Sequence, residues 1–356
     1  MHKRADRALY IMLIIMGLIT VISLTFTGIL GAMYLKEKDK NQEAAAKQAQ
    51  LEEEVVSAFA GGDSITDEEV QKLLDAKTAD VESSMKEKMR ELASSPDGGA
   101  LTMLRYFFPE NLVYYDEGGY VFAPILDSVK KNELVDDNFH KNDKNEMEYI
   151  ENGTITSHKG IDVSKYQGDI DWQAVKADGV EYAFVRLGLR GYGSGKLVLD
   201  ENFGDNMRGA NEAGVMAGVY FFTQAITVDE AREEAQFVLE NLADYDVPYP
   251  VVFDVEMIVG DKGRANGLTM QERTDITIAF CEAIREAGYT PMIYGNVKCF
   301  TKMLDMTRLE SYDKWYAFYD DYMYFPYAVS VWQYTEKGSV DGIEGKVDMN
   351  ISYKQW

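Results

Sequence analysis

Acidic side chains at the ends of apolar runs are the first residues in this sequence equipped for a reaction. Asp254 and Glu256 close the run PYPVVFDVEM, Asp162 ends the apolar start of KGIDVSKYQGDIDW, and Asp348 stands with Asn350 in GKVDMN. Strand side chains alternate between faces, so Asp254 and Glu256 share one face, as do Asp348 and Asn350. Two carboxyl groups held that close cannot ionise equally, and the separation of their pKa values leaves one as a proton donor and the other as a base or charge stabiliser. A lone Asp in a turn is more often a helix cap, which is the reading for Asp169 and Asp171 ahead of Trp172. Tyr220, Tyr294, Trp332 and Tyr334 fall at or just past the same strand ends. Singly each would be core packing; together they suggest flat amphipathic walls suited to sugar rings.

Other chemistries find little support. The three histidines, His2, His140 and His158, have neither each other nor a cysteine at ligand spacing, so no metal or other cofactor is expected. Two cysteines are too few for a disulfide framework; Cys281 reads as a small buried residue of an amphipathic helix, with pairing to Cys299 the less favoured reading. The loop GLRGYGSGK ends in Gly195-Lys196, but a phosphate-binding loop needs Gly where Arg190 stands and Ser or Thr where Leu197 stands. It is expected instead to be a flexible loop on the active face. With 60 acidic against 36 basic residues, a net charge of -24, the chain lacks the clustered basic footprint of a nucleic-acid partner.

The elements that must position these residues follow from periodicity. Strands are predicted at 160–163, 182–187, 215–222, 250–255, 291–294, 315–318, 330–333 and 347–349. Helices between several of them are announced by capping boxes, Thr227 with Glu230 and Thr269 with Glu272. Repeated β-then-α units in about 200 residues indicate a closed or nearly closed barrel, where reacting groups gather at the C-terminal ends of strands.

Upstream, residues 8–35 carry no charge and exceed the ~20 residues that cross a bilayer as a helix. A cleaved signal peptide is the rival reading, but its apolar core is shorter and Leu30 spoils the small-residue site before Ala32. An uncleaved anchor is therefore expected, with 1–7 as a cytoplasmic tail; Lys3, Arg4 and Arg7 give that orientation a modest preference. Residues 36–99 read as a helical stalk. Thr66 and Glu69 form a capping box there, and Val70, Leu74, Val81, Met85, Met89 and Leu92 make a narrow apolar stripe, fit for self-association or for a solitary spacer helix. Residues 100–150 read as a small pre-domain with a β-hairpin at 112–125 and a polar linker at 132–152.

With these residues in hand, the stretch from 159 to the C-terminal region resembles glycoside hydrolase family 25, the Chalaropsis-type lysozymes. The matching words are GIDVSKYQGDIDW, FVRLG, the Asp200, Phe203, Asn206 run, AGVYFFTQA, DEAREEAQF, VVFDVE, MIYGN, VWQYT and GKVDMN, in the family's order. The resemblance implies an irregular, flattened (β/α) barrel over 159–356 and hydrolysis of the β-1,4 bond from N-acetylmuramic acid to N-acetylglucosamine. It implies Glu256 as proton donor, Asp254 beside it, and Asp162 and Asp348 as supporting acids. Saccharide contacts would come from Tyr220, Tyr294, Trp332, Gln333, Asn350 and Arg186. Phe221 departs from the His that many members carry after the Tyr matching Tyr220. A peptidoglycan substrate would place the barrel outside the cytoplasmic membrane and the N-terminus inside. The alternative is a catalytically silent wall-binding or scaffold module of an envelope complex.

Overall fold

The computed structural model describes residues 67–95, 98–260 and 262–356, which divide into two compact units, one ending at Pro124 and the other Ile125–Trp356. The expected anchor at 8–35 and the cap residue Thr66 lie outside the described residues. Among the described residues, no helix is long and apolar enough to cross a membrane.

The first unit holds helix α1 (Asp67–Ser94), helix α2 (Ala100–Phe107) and strands β1 (Asn111–Asp116) and β2 (Gly119–Pro124). No Gly or Pro interrupts α1, and pairs such as Lys86 with Glu82 at 3.1 Å support its exposed surface. Val81, Met85 and Met89 of the expected stripe are exposed. β1 and β2 pair antiparallel from Asn111–Pro124 to Asp116–Gly119. The two residues between them, Glu117 and Gly118, both take positive φ (48° and 87°), the backbone that matches a tight hairpin to strand twist.

In the second unit each of the eight predicted runs falls on one strand of a closed barrel. The strands are β6 (His158–Val163), β7 (Tyr182–Arg190), β9 (Met216–Phe222), β10 (Val251–Asp254), β11 (Pro291–Asn296), β12 (Asp313–Ala317), β13 (Val331–Gly338) and β14 (Val347–Ser352). They run in the order β6-β14-β13-β12-β11-β10-β9-β7, and β7 pairs with β6 to close the ring; β8 (Leu197–Leu199) adds to β7 as a hairpin arm. Helices α3 (Trp172–Ala177), α4 (Phe203–Ala213), α5 (Val228–Leu242) and α6 (Met270–Glu286) connect the first half. Asp171 caps α3 by accepting from two backbone N–H groups at 3.1 Å. Thr269 and Glu272 form the full capping box on α6, whereas on α5 only Thr227 caps: the Glu230 carboxylate accepts from Ile226 N–H and pairs with Arg264.

The second half of the ring departs from β/α alternation. β11 is followed by one π-helical turn (Cys299–Met303), and β14 is antiparallel to both neighbours, because the connection from β13 is too short for a crossover. Asp348 therefore stands near the start of its strand, not the downstream end; reversal of the strand brings it to the same rim as Asp162, its direct partner in register.

Strands covered on both sides read as continuous apolar runs. Outward residues pack on helices, Phe253 on Phe280 (4.3 Å) and Phe221 on Phe237 (6.1 Å). Inward, Tyr182, Phe184, Val252, Met292, Trp315 and Val331 fill the barrel, with Phe184 stacked on Trp315 at 4.5 Å. Gly160 and Gly218 make room, since a Cβ would stand 2.1 Å from the Tyr182 ring and 2.6 Å from Phe184.

Where crossover helices are missing, residues 125–158 take their place. The polar run expected as a linker carries β3 (Phe139–Lys141) and β4 (Met147–Glu151), which with β5 (Thr154–Ile155) form a small sheet. Its apolar residues are few but well placed: Phe139 meets Trp332 at 5.2 Å and Tyr149 meets Tyr353 at 5.7 Å, while Lys159 pairs with Glu146 and Asp178. A composition dominated by Asp, Asn, Lys and Glu concealed that alternation.

Two outcomes follow. Gly160→Ala should destabilise the second unit by about 1–3 kcal/mol through overpacking against Tyr182, read from urea unfolding. A chain starting at residue 159 should unfold at a lower temperature than one starting at 125, because the outer face of Trp332 and Tyr353 is then bared.

Candidate active site

One rung above the apolar filling, the inward positions turn polar. Period two carries Phe184 to Arg186 on β7, Gly218 to Tyr220 on β9, Val252 to Asp254 on β10, Met292 to Tyr294 on β11, Val331 to Gln333 on β13 and Gly160 to Asp162 on β6. Together with Glu256, Asp348, Trp315 and Tyr319 they line a cleft of about 760 Å³ that opens at this rim. All four singled-out carboxylates are in it.

Asp162 is the hub. One of its oxygens accepts from the amides of Gln333 and Asn350, each at 2.8 Å. Those amides are oriented from behind: Gln333 Oε1 accepts from the hydroxyls of Tyr294 (2.8 Å) and Tyr319 (3.0 Å), and Asn350 Oδ1 accepts from Trp315 Nε1 (2.7 Å). With both amide oxygens so occupied, their N–H groups must point at the carboxylate.

Electrostatics separates the acids. Burial raises Asp162 to about 6, held back by hydrogen bonds from Asn350, Gln333 and Asp348. Asp348 rises further, to about 8, through burial, the Asp162 charge and the proton it shares with Asp162. Burial also lifts Asp254 well above the carboxylate range, with the charges of Glu256 and Asp162 adding to it, and lifts Glu256 with help from Asp348. Asp254 Oδ1 is buried without a hydrogen-bond partner, whereas Glu256 stays partly open to the cleft. An acid that is partly open and raised by burial and a neighbouring carboxylate has two of the properties a general acid needs.

Not every predicted contact reaches the cleft. Tyr220, Tyr294, Gln333 and Arg186 line it, with Arg186 held by Asp200 through a 2.7 Å bond from Nε and lying 5.0 Å from the Tyr166 ring. Trp332 does not: as the neighbour of Gln333 on one strand it must face outward, where it is fully buried and donates to Phe318 O at 2.7 Å. Tyr334, of the same parity, packs beside it at 6.0 Å. Asn350 is sealed beneath Asp162 and acts through it. Phe221 also faces away, so the departure from His falls outside the cleft. Tyr166, Tyr192, Trp315 and Tyr319 line the cleft without having been singled out. Trp315 was findable, being two residues below Ala317 on a predicted strand; the others sit on loops that periodicity does not orient. Among the described residues no three His, Cys, Asp or Glu side chains converge to hold a metal, and Cys281 and Cys299 are free, buried thiols.

The sequence model described as Glycosyl hydrolases family 25 matches residues 161–343. The chain belongs to that family. The uncharacterized protein YegX of Escherichia coli (strain K12) is 29% identical over 203 residues, 54% of this chain and 68% of that protein. The autolytic lysozyme of Clostridium acetobutylicum is 24% identical over 198 residues, 54% of this chain and 55% of its own length. Among solved structures, the modular autolysin LytC of Streptococcus pneumoniae superimposes with a TM-score of 0.50 at 25% identity, covering 60% of this chain and 52% of that one. The family 25 chain thus spans about half the length of that autolysin.

The raised acids make stability depend on pH in a defined sense. Asp162 and Asp348 hold protons when folded that they release when unfolded. Their contribution to stability is therefore full below the unfolded carboxylate values, near pH 4, and is lost as pH rises toward 8, whereas depressed carboxylates such as Asp178 and Asp313 lose theirs only as pH falls below that range. The unfolding midpoint should be higher at about pH 5 than at about pH 8, and Asp348→Asn should flatten the decline.

Proposed function

We propose that the barrel hydrolyses the β-1,4 bond between N-acetylmuramic acid and N-acetylglucosamine in peptidoglycan, with Glu256 as general acid. The observation that carries this reading is the gathering of Asp162, Asp254, Glu256 and Asp348 in one open cleft, with Glu256 raised and partly accessible. Glu256 would protonate the glycosidic oxygen as the bond to the anomeric carbon breaks, a step typically contributing about 10²- to 10⁴-fold. Charge then develops on the sugar ring, and Asp254 is the group placed to meet it. Its unpartnered Oδ1 suits one of two tasks: stabilising the oxocarbenium-like state directly once the carboxyl has given up its own proton, or, with the proton still on the other oxygen, accepting from the substrate's acetamido N–H so that its carbonyl attacks internally; water then adds at the anomeric carbon to complete the hydrolysis. Asp162 and Asp348 share a proton and keep the pocket's charge from rising without limit. Tyr220, Tyr294 and Trp315 supply the stacking walls.

Such a substrate lies outside the cytoplasmic membrane, so the reading puts residues 8–35 in the membrane with the N-terminus cytoplasmic and lets the stalk set the reach into the wall. The exposed Val81, Met85 and Met89 on α1 favour pairing of two stalks as a second feature of the same assembly.

Glu256→Gln should lower turnover on purified peptidoglycan by at least about 10³-fold while thermal stability and saccharide affinity stay near those of the parent. Mass spectrometry of released muropeptides should show new reducing-end N-acetylmuramic acid. Retained turnover in Glu256→Gln removes the assignment; no release by the parent leaves the wall-binding alternative.

A further inference from the structure

The connection from β7 to α4 is a wall of the cleft rather than a loose link. β7 outruns its neighbours and folds back through β8, pairing Gly188–Leu199, Leu189–Val198 and Arg190–Leu197, and residues 189–194 all line the cleft. Its tip is tied down: Gly191 N–H donates to Lys196 O and Gly195 N–H to Gly191 O, both at 2.8 Å, and Arg264 N–H donates to Tyr192 O at 3.2 Å.

The strongest tie is Arg190. Its side chain is 3% exposed and is bonded to α5. It donates to Glu234 and Glu233 at 2.7 Å each, to Glu230 O at 3.0 Å and, on the hairpin side, to Gly195 O at 2.8 Å. Glu234 is fully buried and accepts a further bond from the Thr223 hydroxyl at 2.7 Å. A guanidinium desolvated this completely is costly unless every partner is kept, so the clamp fixes the hairpin on α5.

What the clamped hairpin presents is Tyr192, 52% exposed at its tip. A second tyrosine, Tyr166, is 78% exposed on the turn after β6, held by the Ser164–Gln167 capping box and lying over Arg186. Both line the same cleft on the β6–β7 side, whereas Asp254 and Glu256 enter from β10, with β9 between. Rigid exposed rings away from the reacting acids are useful for binding sugars that are not being cleaved, because little ordering is left to do on binding.

Resting on the proposed function, we infer that Tyr192 is a length-specificity residue, stacking on a hexosamine ring of the glycan strand beyond the two that flank the scissile bond. Arg190 is its positioning residue: it touches no sugar and acts by holding the hairpin. The ligand class is an oligosaccharide of alternating N-acetylglucosamine and N-acetylmuramic acid, longer than a disaccharide.

The test measures, by calorimetry, binding of purified di-, tetra- and hexasaccharides of that class to the full chain carrying Glu256→Gln, which blocks turnover. Affinity should rise with length, and Tyr192→Ala should cut the hexasaccharide-to-disaccharide affinity ratio by about tenfold, with Tyr192→Phe restoring most of it. Arg190→Lys should lower the same ratio, and the Arg190→Lys, Tyr192→Ala double variant should fall no further than Tyr192→Ala. A length-dependent affinity that survives Tyr192→Ala, or one that never depends on length, overturns the inference while leaving the hydrolase reading intact. No binding of any oligosaccharide by the parent overturns both. A double variant that loses more than Tyr192→Ala removes Arg190 as a positioning residue.

Discussion

Removing carboxylates from water is costly, and this barrel does so with several at once on the rung above its apolar filling. Phe184, Trp315 and Val252 fill the space beneath, so solvent reaches Asp162, Asp254, Glu256 and Asp348 only from the open rim. In that setting the acids keep protons that free Asp and Glu would release, and they keep them unequally. The rest of the site follows from managing this. Gln333 and Asn350 donate to Asp162 and so hold it below Asp348, and Tyr294, Tyr319 and Trp315 fix those amides because a flipped amide would present oxygen to a carboxylate. Asp348 is hydrogen-bonded to Asp162, and Glu256, away from those donors, stays partly open to the cleft.

Much of this was legible in the chain. Alternation at the end of an apolar strand put Asp254 and Glu256 on one face without knowledge of the fold, and the eight apolar runs located the eight barrel strands. The same rule, applied one step further, would have excluded Trp332, since it cannot share a face with Gln333. Strand direction was not legible: Asp348 reaches the rim from the start of an antiparallel strand, and only the short connection after β13 hinted at it. Nor did composition reveal that residues 125–158 complete the barrel wall, because three spaced apolar residues, Phe139, Met147 and Tyr149, do the packing among polar ones. Tyr166 and Tyr192 lie on loops, where side-chain direction depends on hydrogen bonds such as those of Arg190 that span distant elements.

Two buried electrostatic systems thus meet at one cleft with opposite designs. The acid cluster on β6, β10 and β14 has more negative charge than it can ionise and so stores protons. The Arg190 clamp on β7 and α5 matches a cation to carboxylates and so stores rigidity. One supplies reactivity and the other supplies shape, and family 25 membership accounts for the barrel they share.

The central claim is that the cleft holds protonated carboxyl groups at neutral pH, which infrared spectroscopy reads directly from the carbonyl stretch of un-ionised acids in the folded chain. At about pH 7, where ordinary Asp and Glu are ionised, the parent should show such a band, and it should shrink in Asp348→Asn. A folded parent at that pH with every carboxyl ionised would contradict the account at its base.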